Sequence, residues 1–274
     1  MEPGFQPVDH GPPKPDAPKK QRRQIPYRLI APNLVTLLGL CAGLTSIRMA
    51  IEGRMELAVI LILVAAVLDG IDGRVARFLK GSSRFGAELD SLTDFVNFGV
   101  APAVLLFMWG LQDFRSLGWI ASLLFAICTA LRLARFNAAM DGPEKPAWQA
   151  AYFTGIPAPS GAVLGMLPIY LSFLGLQPTQ WLQIMEIFYV LFIAFLMVST
   201  IPTYSGKTFG RNLRSDLVVP VILTGVVLVA LLATYTWQFL VTGTVVYLLS
   251  ITHSFHSYKR AAAMNEKTGD EPSK

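Results

Sequence analysis

Charged side chains are scarce in this chain of 274 residues. Asp, Glu, Lys and Arg make up 15% of it, whereas apolar residues make up 53% and the mean hydropathy is +0.49. A typical soluble domain carries roughly 25% charged residues, because it needs them to cover its surface in water. The scarcity of charge therefore excludes a water-soluble protein of this size and predicts a membrane protein.

Cysteine is almost absent as well. The chain has two cysteines, Cys41 and Cys128, and both stand within apolar runs. Two cysteines exclude a disulfide scaffold. In apolar surroundings they behave as small buried hydrophobic residues, so they indicate nothing about the redox compartment.

The N-terminal segment, residues 1–28, lacks the apolar core that a secretory signal peptide requires. It is rich in Pro, Lys and Arg, and this composition predicts a disordered tail up to about Pro26. We therefore expect no cleaved signal and divide the chain into this tail, a transmembrane domain at 29–258 and a polar cytoplasmic tail at 259–274.

Eight apolar stretches approach the length of about 20 residues that a membrane-spanning helix needs. They predict an all-α polytopic helix bundle. The fifth stretch is crowded with proline, and the last two are separated only by Tyr235 and Thr236, which predicts a tight hairpin. The stretches are 33–51, 57–78, 91–111, 117–137, 158–175, 181–200, 217–234 and 237–253.

The basic residues predict that both termini lie in the cytoplasm. With eight crossings and a cytoplasmic N-terminus, three of the 23 Lys and Arg residues (Arg48, Arg54 and Arg115) fall outside and the remaining 20 fall inside. Short cytoplasmic loops carry such an excess of positive charge, which also attracts anionic lipid headgroups. The basic residues are spread over five segments, so we expect no nucleic-acid partner.

Four aspartates stand within two otherwise apolar predicted helices, where an acidic residue costs a few kcal/mol and indicates function. Asp69 and Asp72 are three residues apart, and Asp90 and Asp94 are four apart, so each pair shares one helix face. The connection at about 80–85 is short and predicts antiparallel neighbours. We therefore expect all four carboxylates to converge near the cytoplasmic surface.

Such a cluster predicts a metal site, because four carboxylates in one pocket cannot all stay ionised without cations and Arg77 can offset only one of them. Oxygen ligands without nearby His or Cys favour Mg²⁺ first and Mn²⁺ second. A two-metal carboxylate cluster most often serves displacement at phosphorus. Gly73 and Gly86 lie one turn from the aspartates, where a ligand or the facing helix can approach the backbone. Solvated loop carboxylates and a proton or Na⁺ pathway are the alternatives.

The same residues resemble a known family. Eight fixed positions match the signature of the CDP-alcohol phosphatidyltransferases, and the core of the resemblance covers about residues 32–140. Segments at 95–103, 131–137, 153–162 and 199–205 are similar to those of its bacterial integral-membrane phosphatidylserine synthases. The signature here is Asp69-x2-Asp72-Gly73-x2-Ala76-Arg77-x8-Gly86-x3-Asp90-x3-Asp94.

This resemblance implies an enzyme of the bacterial cell membrane, with its active site facing the cytoplasm, that uses two divalent ions. It would move a phosphatidyl group from CDP-diacylglycerol to L-serine and release CMP, as a homodimer. The implied metal ligands are Asp69, Asp72, Asp90 and Asp94, with Asp94 also acting as general base. The residues implied to contact the donor are Gly73, Arg77 and Ser83.

Arg132 and Arg135 stand near the cytoplasmic end of the fourth predicted helix. They either anchor that end by reaching towards the headgroups, or one of them pairs with the serine carboxylate or with donor phosphate. Asn33 and Thr36, at the predicted start of the first helix, either cap it or reach the nucleotide, and capping is the expectation for Asn33.

Other acceptors of the same family stay open: glycerol 3-phosphate would favour a purely basic pocket, choline would favour aromatic walls, and inositol phosphate is a third. Serine is zwitterionic and needs both a cation and a hydrogen-bond acceptor. A cation-coupled transporter is the alternative from another class. It would place acidic residues near mid-membrane on interrupted helices, whereas here they cluster near one surface.

Overall fold

The computed structural model describes residues 27–79, 83–140, 152–176, 179–204 and 218–268. Each of the eight apolar stretches coincides with helix, so the prediction of an all-α membrane bundle is confirmed. The helices are α1 (Tyr27–Ile51), α2 (Met55–Phe78), α3 (Arg84–Phe95), α4 (Ala101–Trp109), α5 (Arg115–Met140), α6 (Ala158–Gly165), α7 (Leu167–Phe173), α8 (Gln180–Val198), α9 (Val218–Thr234) and α10 (Thr236–Thr268).

Fewer helices than eight are long and apolar enough to cross a bilayer unaided. Within the described residues there are four, Ile30–Ile51, Arg84–Trp109, Leu111–Ala139 and Gln180–Val198, and a fifth if α9 and α10 form one broken span. Helix α2 has the length, but its last ten residues include Asp69, Asp72, Arg74 and Arg77, which do not suit hydrocarbon. Eight crossings and the orientation of the termini stay predictions.

The fifth predicted span is interrupted, and the last two predicted spans meet at a bend. The proline-crowded fifth stretch divides at Met166 into α6 and α7, each with proline in its first turn, where a missing N–H does no harm. Helices α9 and α10 meet at Tyr235 with a bend of 119°, so α10 turns back by more than a right angle, although less sharply than the antiparallel arms of a tight hairpin. Helix α10 continues to Thr268, so the first part of the predicted polar tail is helical.

The third predicted span also starts earlier than expected and changes its winding. It begins at Arg84 rather than at 91, because the Ser83 hydroxyl accepts the Gly86 N–H at 3.0 Å and caps α3. A π-helical turn, Val96–Val100, then joins α3 to α4. Such turns are rare and occur frequently at functional sites, because the extra residue changes the phase of the helix that follows.

The bundle is organised around α1 and α5. Helix α1 packs along α2 and also against α3 and α4, whereas α5 packs chiefly against α8. Between them lie fully buried side chains such as Ile62, Leu106, Phe125 and Ile193. Helix α9 exposes most of its apolar side chains, as a lipid-facing helix does.

A short antiparallel strand pair, absent from the sequence-based expectations, joins two connections. Strand β1 (Tyr152–Thr154) pairs with β2 (Pro202–Tyr204), and Phe153 lies opposite Thr203. The pair fixes the chain before α6 to the chain after α8, and α10 packs against β2.

Asn97, in the π-helical turn, packs into a glycine-lined groove of α1. A Cβ added at Gly43 would overlap with Asn97 Oδ1 and would lie 3.3 Å from Asn97 Cα. Gly39, one turn earlier, also faces Asn97. Small residues of this kind let membrane helices approach closely, so Gly43 fixes the position of α1 against the π-helical turn.

We predict that Gly43→Ala lowers the thermal unfolding midpoint of the detergent-solubilised protein. The added methyl group has no space beside Asn97, and overpacking a tight contact typically costs about 1–3 kcal/mol. Gly225→Ala is the matched control, because a Cβ at Gly225 on α9 meets nothing within 4 Å. A Gly43→Ala protein that unfolds at the same temperature as the control would contradict the close packing.

Candidate functional site

The aspartates of α2 and α3 converge as the spacing predicts. Asp69 and Asp72 lie near the end of α2, and Asp90 lies in the second turn of α3. One carboxylate oxygen from each of these three residues lies within 4.8 Å of the others. Asp72 is buried, and the other two are partly buried.

Asp94 completes the cluster one turn further along α3. Its carboxyl group lies in hydrogen-bonding contact with that of Asp69 and interacts electrostatically with Asp90. Two ionised carboxylates in such contact repel each other, so a cation or a shared proton must lie between them. The four side chains therefore form one electrostatic unit.

Helix α1 supplies a fifth side chain to this unit. The Thr36 hydroxyl lies 2.7 Å from Asp72 Oδ2 and 3.1 Å from the carbonyl oxygen of Pro32, so it holds the Asp72 carboxylate from the side of α1. The capping role expected for Asn33 is wrong, because α1 begins at Tyr27 and both Asn33 and Thr36 stand inside it. Asn33 instead packs beside Gly86.

A cavity of ≈ 160 Å³ opens beside the aspartates, between α1, α2 and α3. Gly73 borders it, and a Cβ there would meet nothing within 4 Å, which leaves room for a ligand against the backbone. At Gly86 the space is instead taken by Asn33, whose Oδ1 would lie 2.9 Å from a Cβ. The lining residues are Pro32, Asn33, Thr36, Asp72, Gly73, Ala76, Ser83, Gly86, Ala87 and Asp90.

The three residues expected to contact the donor occupy different positions. Gly73 and Ser83 line the cavity, and Ser83 accepts a hydrogen bond as the cap of α3, which leaves its own hydroxyl hydrogen free to donate. Arg77 is exposed, and its Nε donates to the Gly73 carbonyl at 3.0 Å, so its guanidinium stands at the outer edge of the cavity. Gly81 and Ser82 lie outside the described residues.

The two arginines of α5 have different environments. The Arg135 guanidinium donates to backbone carbonyls at and beyond the end of α8, among them Val198 and, at 3.1 Å, Ser199. It is therefore occupied as a cap of that helix, and the structure does not place it at the aspartates. Arg132 interacts electrostatically with Asp94 and Asp69.

Arg132 is partly buried, and its guanidinium carbon lies 5.8 Å from the centroid of the Phe136 ring. Among the residues that the structure describes, Arg48–Glu52 is the one ion pair within 4.0 Å, and the Arg132 guanidinium makes no hydrogen bond there. A partly buried guanidinium without a hydrogen-bonded anion is a place where a carboxylate or phosphate can bind.

Sequence reasoning missed Tyr247 of α10. Its side chain lies near Ser160 of α6, Thr203 of β2 and Arg132 of α5. The signal was weak but present, since Ser160 and Thr203 stand in two of the segments that carry the resemblance, 153–162 and 199–205. Nothing in the spacing of Tyr247 itself indicated the site.

The described residues fit a divalent metal ion. The candidate ligand atoms are all carboxylate oxygens, and no His or Cys of the described chain joins the group. Hard cations such as Mg²⁺ and Mn²⁺ prefer oxygen ligands. No described cation is within ion-pair distance of the cluster, so its negative charge is available to such an ion.

Comparison with known proteins adds an independent observation. The profile of the family described as CDP-alcohol phosphatidyltransferase matches residues 29–198, and that of CDP-alcohol phosphatidyltransferase 2 matches residues 216–251. A CDP-diacylglycerol–serine O-phosphatidyltransferase of Mycobacterium leprae is 39% identical over 257 residues, which cover 92% of this chain and 83% of that protein.

Two further relatives match shorter stretches. The protein of the same name from Mycobacterium tuberculosis (strain H37Rv) is 46% identical over 176 residues, or 63% of this chain and 60% of that protein. An archaetidylserine synthase of Methanothermobacter thermautotrophicus is 36% identical over 143 residues, or 52% of this chain and 58% of that protein.

We predict that Asp90→Asn changes thermal stability in opposite directions with and without metal. In chelator the variant should unfold at a higher temperature than the wild type, because one of several like charges is gone. Added Mn²⁺ should stabilise the wild type through binding to the folded state and should no longer stabilise the variant.

Glu88→Gln is the matched control for this experiment, because Glu88 is an exposed acid of the same helix outside the cluster. Thermal melts with EDTA or Mn²⁺, together with the Mn²⁺ signal in electron paramagnetic resonance, measure both effects. An Asp90→Asn protein that keeps the full Mn²⁺ stabilisation contradicts a role for Asp90 as ligand.

Proposed function

The chain belongs to the CDP-alcohol phosphatidyltransferase family, and from this membership we propose that it transfers the phosphatidyl group of CDP-diacylglycerol to the hydroxyl of L-serine, giving phosphatidylserine and CMP. The observation that carries the proposal is the convergence of four aspartates beside a small cavity, within the stretch that matches the family. The names of the relatives point to serine as acceptor.

The metal ligands of this proposal are Asp69, Asp72, Asp90 and Asp94, which would hold two ions, Mg²⁺ or Mn²⁺. When bound, these ions supply neutralisation of the pyrophosphate and of the departing CMP. Thr36 holds the Asp72 carboxylate in its orientation through the 2.7 Å contact. The four carboxylates offer only acceptor oxygens and negative charge, so the metal ions and the donor phosphate would bind together as one charge-balanced set.

The donor would occupy the cavity between α1, α2 and α3. Gly73 leaves space for a phosphate against the backbone of α2, and the Ser83 hydroxyl can donate a hydrogen bond to a phosphate or ribose oxygen. Arg77, at the outer edge, would neutralise pyrophosphate charge. These assignments rest on the lining of the cavity and on the match to the family signature.

Asp94 would act as general base. A free alcohol is a weak nucleophile, and a carboxylate oxygen of Asp94 can accept the hydroxyl proton of serine as the new O–P bond forms. Its surroundings support this role, since Asp94 interacts electrostatically both with Asp69 and Asp90 and with Arg132.

Arg132 would bind the carboxylate of serine. Its guanidinium is free of hydrogen bonds to described residues and interacts electrostatically with Asp94. An acidic and a basic group side by side suit a zwitterion, whereas glycerol 3-phosphate would suit a purely basic pocket. Tyr247, which lies near Ser160, Thr203 and Arg132, would form a wall of this acceptor pocket.

In the membrane we propose eight crossings, with both termini and the active site on the cytoplasmic side of a bacterial cell membrane, and a homodimeric assembly. The bias of Lys and Arg supports the orientation. Helix α2, helices α6 and α7 together, and α9 and α10 separately would provide the four crossings beyond the four long apolar helices.

We predict that the purified protein in detergent releases CMP from CDP-diacylglycerol when L-serine is added. Glycerol 3-phosphate, inositol phosphate and choline should give at most a small fraction of that rate, and EDTA should abolish it until Mg²⁺ or Mn²⁺ is restored. A faster rate with another acceptor would show that serine is not the acceptor substrate. The absence of CMP release with every acceptor would contradict a transferase activity.

Asp94→Asn should reduce kcat by about 10²–10⁴-fold, the usual loss for a general base, while donor affinity in the presence of Mg²⁺ largely survives. Asparagine is nearly isosteric and still offers an oxygen ligand. Asp69→Asn is the comparison, because it should weaken metal and donor binding together. If Asp94→Asn loses donor binding as severely as Asp69→Asn, then Asp94 is chiefly a ligand and the base lies elsewhere.

Arg132→Lys should raise the KM for serine at least about tenfold and leave the KM for CDP-diacylglycerol nearly unchanged, because lysine keeps the charge but loses the planar fork that binds a carboxylate. Arg135→Lys should instead lower the thermal unfolding midpoint and leave the KM for serine nearly unchanged, because it removes contacts with the carbonyl groups at the end of α8. Equal effects of Arg132→Lys on both KM values would assign Arg132 to the donor.

A further inference from the structure

A second cavity lies at the other end of the bundle from the aspartates. It has a volume of ≈ 180 Å³ and is bordered by the end of α4, by α7 and by the first turns of α8. From Asp90 to Trp109 the chain is helical, so the two sites stand roughly 28 Å apart along it at 1.5 Å per residue. The proposed reaction leaves this second cavity without a role.

Glu186 of α8 borders this cavity and is almost completely buried, with 7% of its surface exposed. Its Oε1 atom has no hydrogen-bond partner among the described residues, and no described Lys, Arg or His forms an ion pair with it. An ionisable group placed in this way within a membrane bundle is expensive and indicates a function.

The fold makes room for this carboxylate at Gly110. A Cβ added there would lie 2.7 Å from Glu186 Oε2, so any larger residue would force the carboxylate to move. The carboxylate thus lies against backbone on one side and borders the cavity on the other.

The other polar groups of the wall have already used donor hydrogens. The Ser172 hydroxyl donates to the Ile169 carbonyl at 2.7 Å, and the Tyr189 hydroxyl donates to the Leu164 carbonyl at 2.8 Å. The Gln183 amide donates to Asp113 Oδ2 at 2.6 Å. These three side chains can therefore offer a ligand mostly acceptor oxygens. The Glu186 carboxylate adds two more acceptor oxygens to the same wall.

The rest of the wall is apolar except for the indole N–H of Trp109, and it is open to the outside of the bundle. It consists of Trp109, Leu167, Pro168, Leu171, Leu176, Leu182 and Met185. Met185 is 65% exposed and Leu176 is 48% exposed, so the cavity is reached from the surface of the helices. Its volume is below the roughly 300–1,000 Å³ of a drug-sized pocket and suits a head group with the first carbons of a chain.

We propose that this cavity binds the ammonium head of an amphiphile, with Glu186 as its counter-ion and the apolar chain leaving between α7 and α8. An ammonium brings both the positive charge and the N–H donors that the carboxylate lacks. A neutral alcohol of the same length brings one donor and no charge, and therefore binds more weakly.

Quenching of Trp109 fluorescence tests this assignment. The purified full-length protein in detergent is titrated with 11-bromoundecylammonium and, separately, with 11-bromoundecanol, since bromine quenches indole fluorescence on contact. The amine should give saturable quenching that is lost in Trp109→Phe, whereas the alcohol should give only weak, non-saturating quenching. Equal curves for amine and alcohol would overturn the proposal.

Glu186→Gln carries the decisive comparison, because it keeps the shape and removes the charge. Its half-saturation concentration for the amine should rise about tenfold or more, while that of Glu56→Gln, an exposed acid of α2, should stay at the wild-type value. An unchanged Glu186→Gln curve would overturn the proposal. If that variant does not fold, Glu186→Asp takes its place, because the shorter side chain withdraws the charge from the cavity. Its half-saturation concentration for the amine should also rise, and an unchanged value would overturn the proposal. CMP release is measured separately on the same samples. Absence of CMP release would contradict the proposed reaction but would not affect the conclusion about amine binding.

Discussion

Repulsion among four carboxylates in one small space is the constraint on which the rest of the structure depends. Asp69, Asp72, Asp90 and Asp94 converge between α2 and α3, and the chain places no ion-paired cation among them within its described residues. Such an arrangement is unfavourable on its own, and binding of divalent cations with a phosphate-bearing donor relieves it. The four carboxylates are therefore arranged in a way that favours the binding of divalent cations.

Holding this arrangement requires supports that lie outside the signature. Thr36 fixes the Asp72 carboxylate from α1, and α1 itself is held by the contact of Gly43 with Asn97 in the π-helical turn. Asn137 of α5 donates to Ser91 of α3 at 2.9 Å, so α3 is held from both sides. The helices bearing the aspartates are thus positioned by contacts that involve no metal ion.

Local patterns predicted the helices and the aspartate cluster, because apolar runs and residue spacing are read along one segment. The supports could not be predicted in this way. The contacts of Thr36 with Asp72, Arg135 with the end of α8, and Tyr247 with Ser160 join segments far apart in sequence. The pairing of β1 with β2 and the role of Glu186 likewise exist only after the chain has folded. The number of crossings stays a prediction, since charge in α2 and proline in the α6–α7 stretch weaken the hydropathy signal.

The most direct measurement is the hyperfine coupling between bound Mn²⁺ and the phosphorus atoms of CDP, observed by electron–nuclear double resonance on the purified protein. If the aspartates hold the ion against the donor phosphates, a ³¹P coupling appears with the wild type and disappears with Asp69→Asn. CDP that binds in the presence of Mn²⁺ without any ³¹P coupling would contradict a metal site at the donor phosphates.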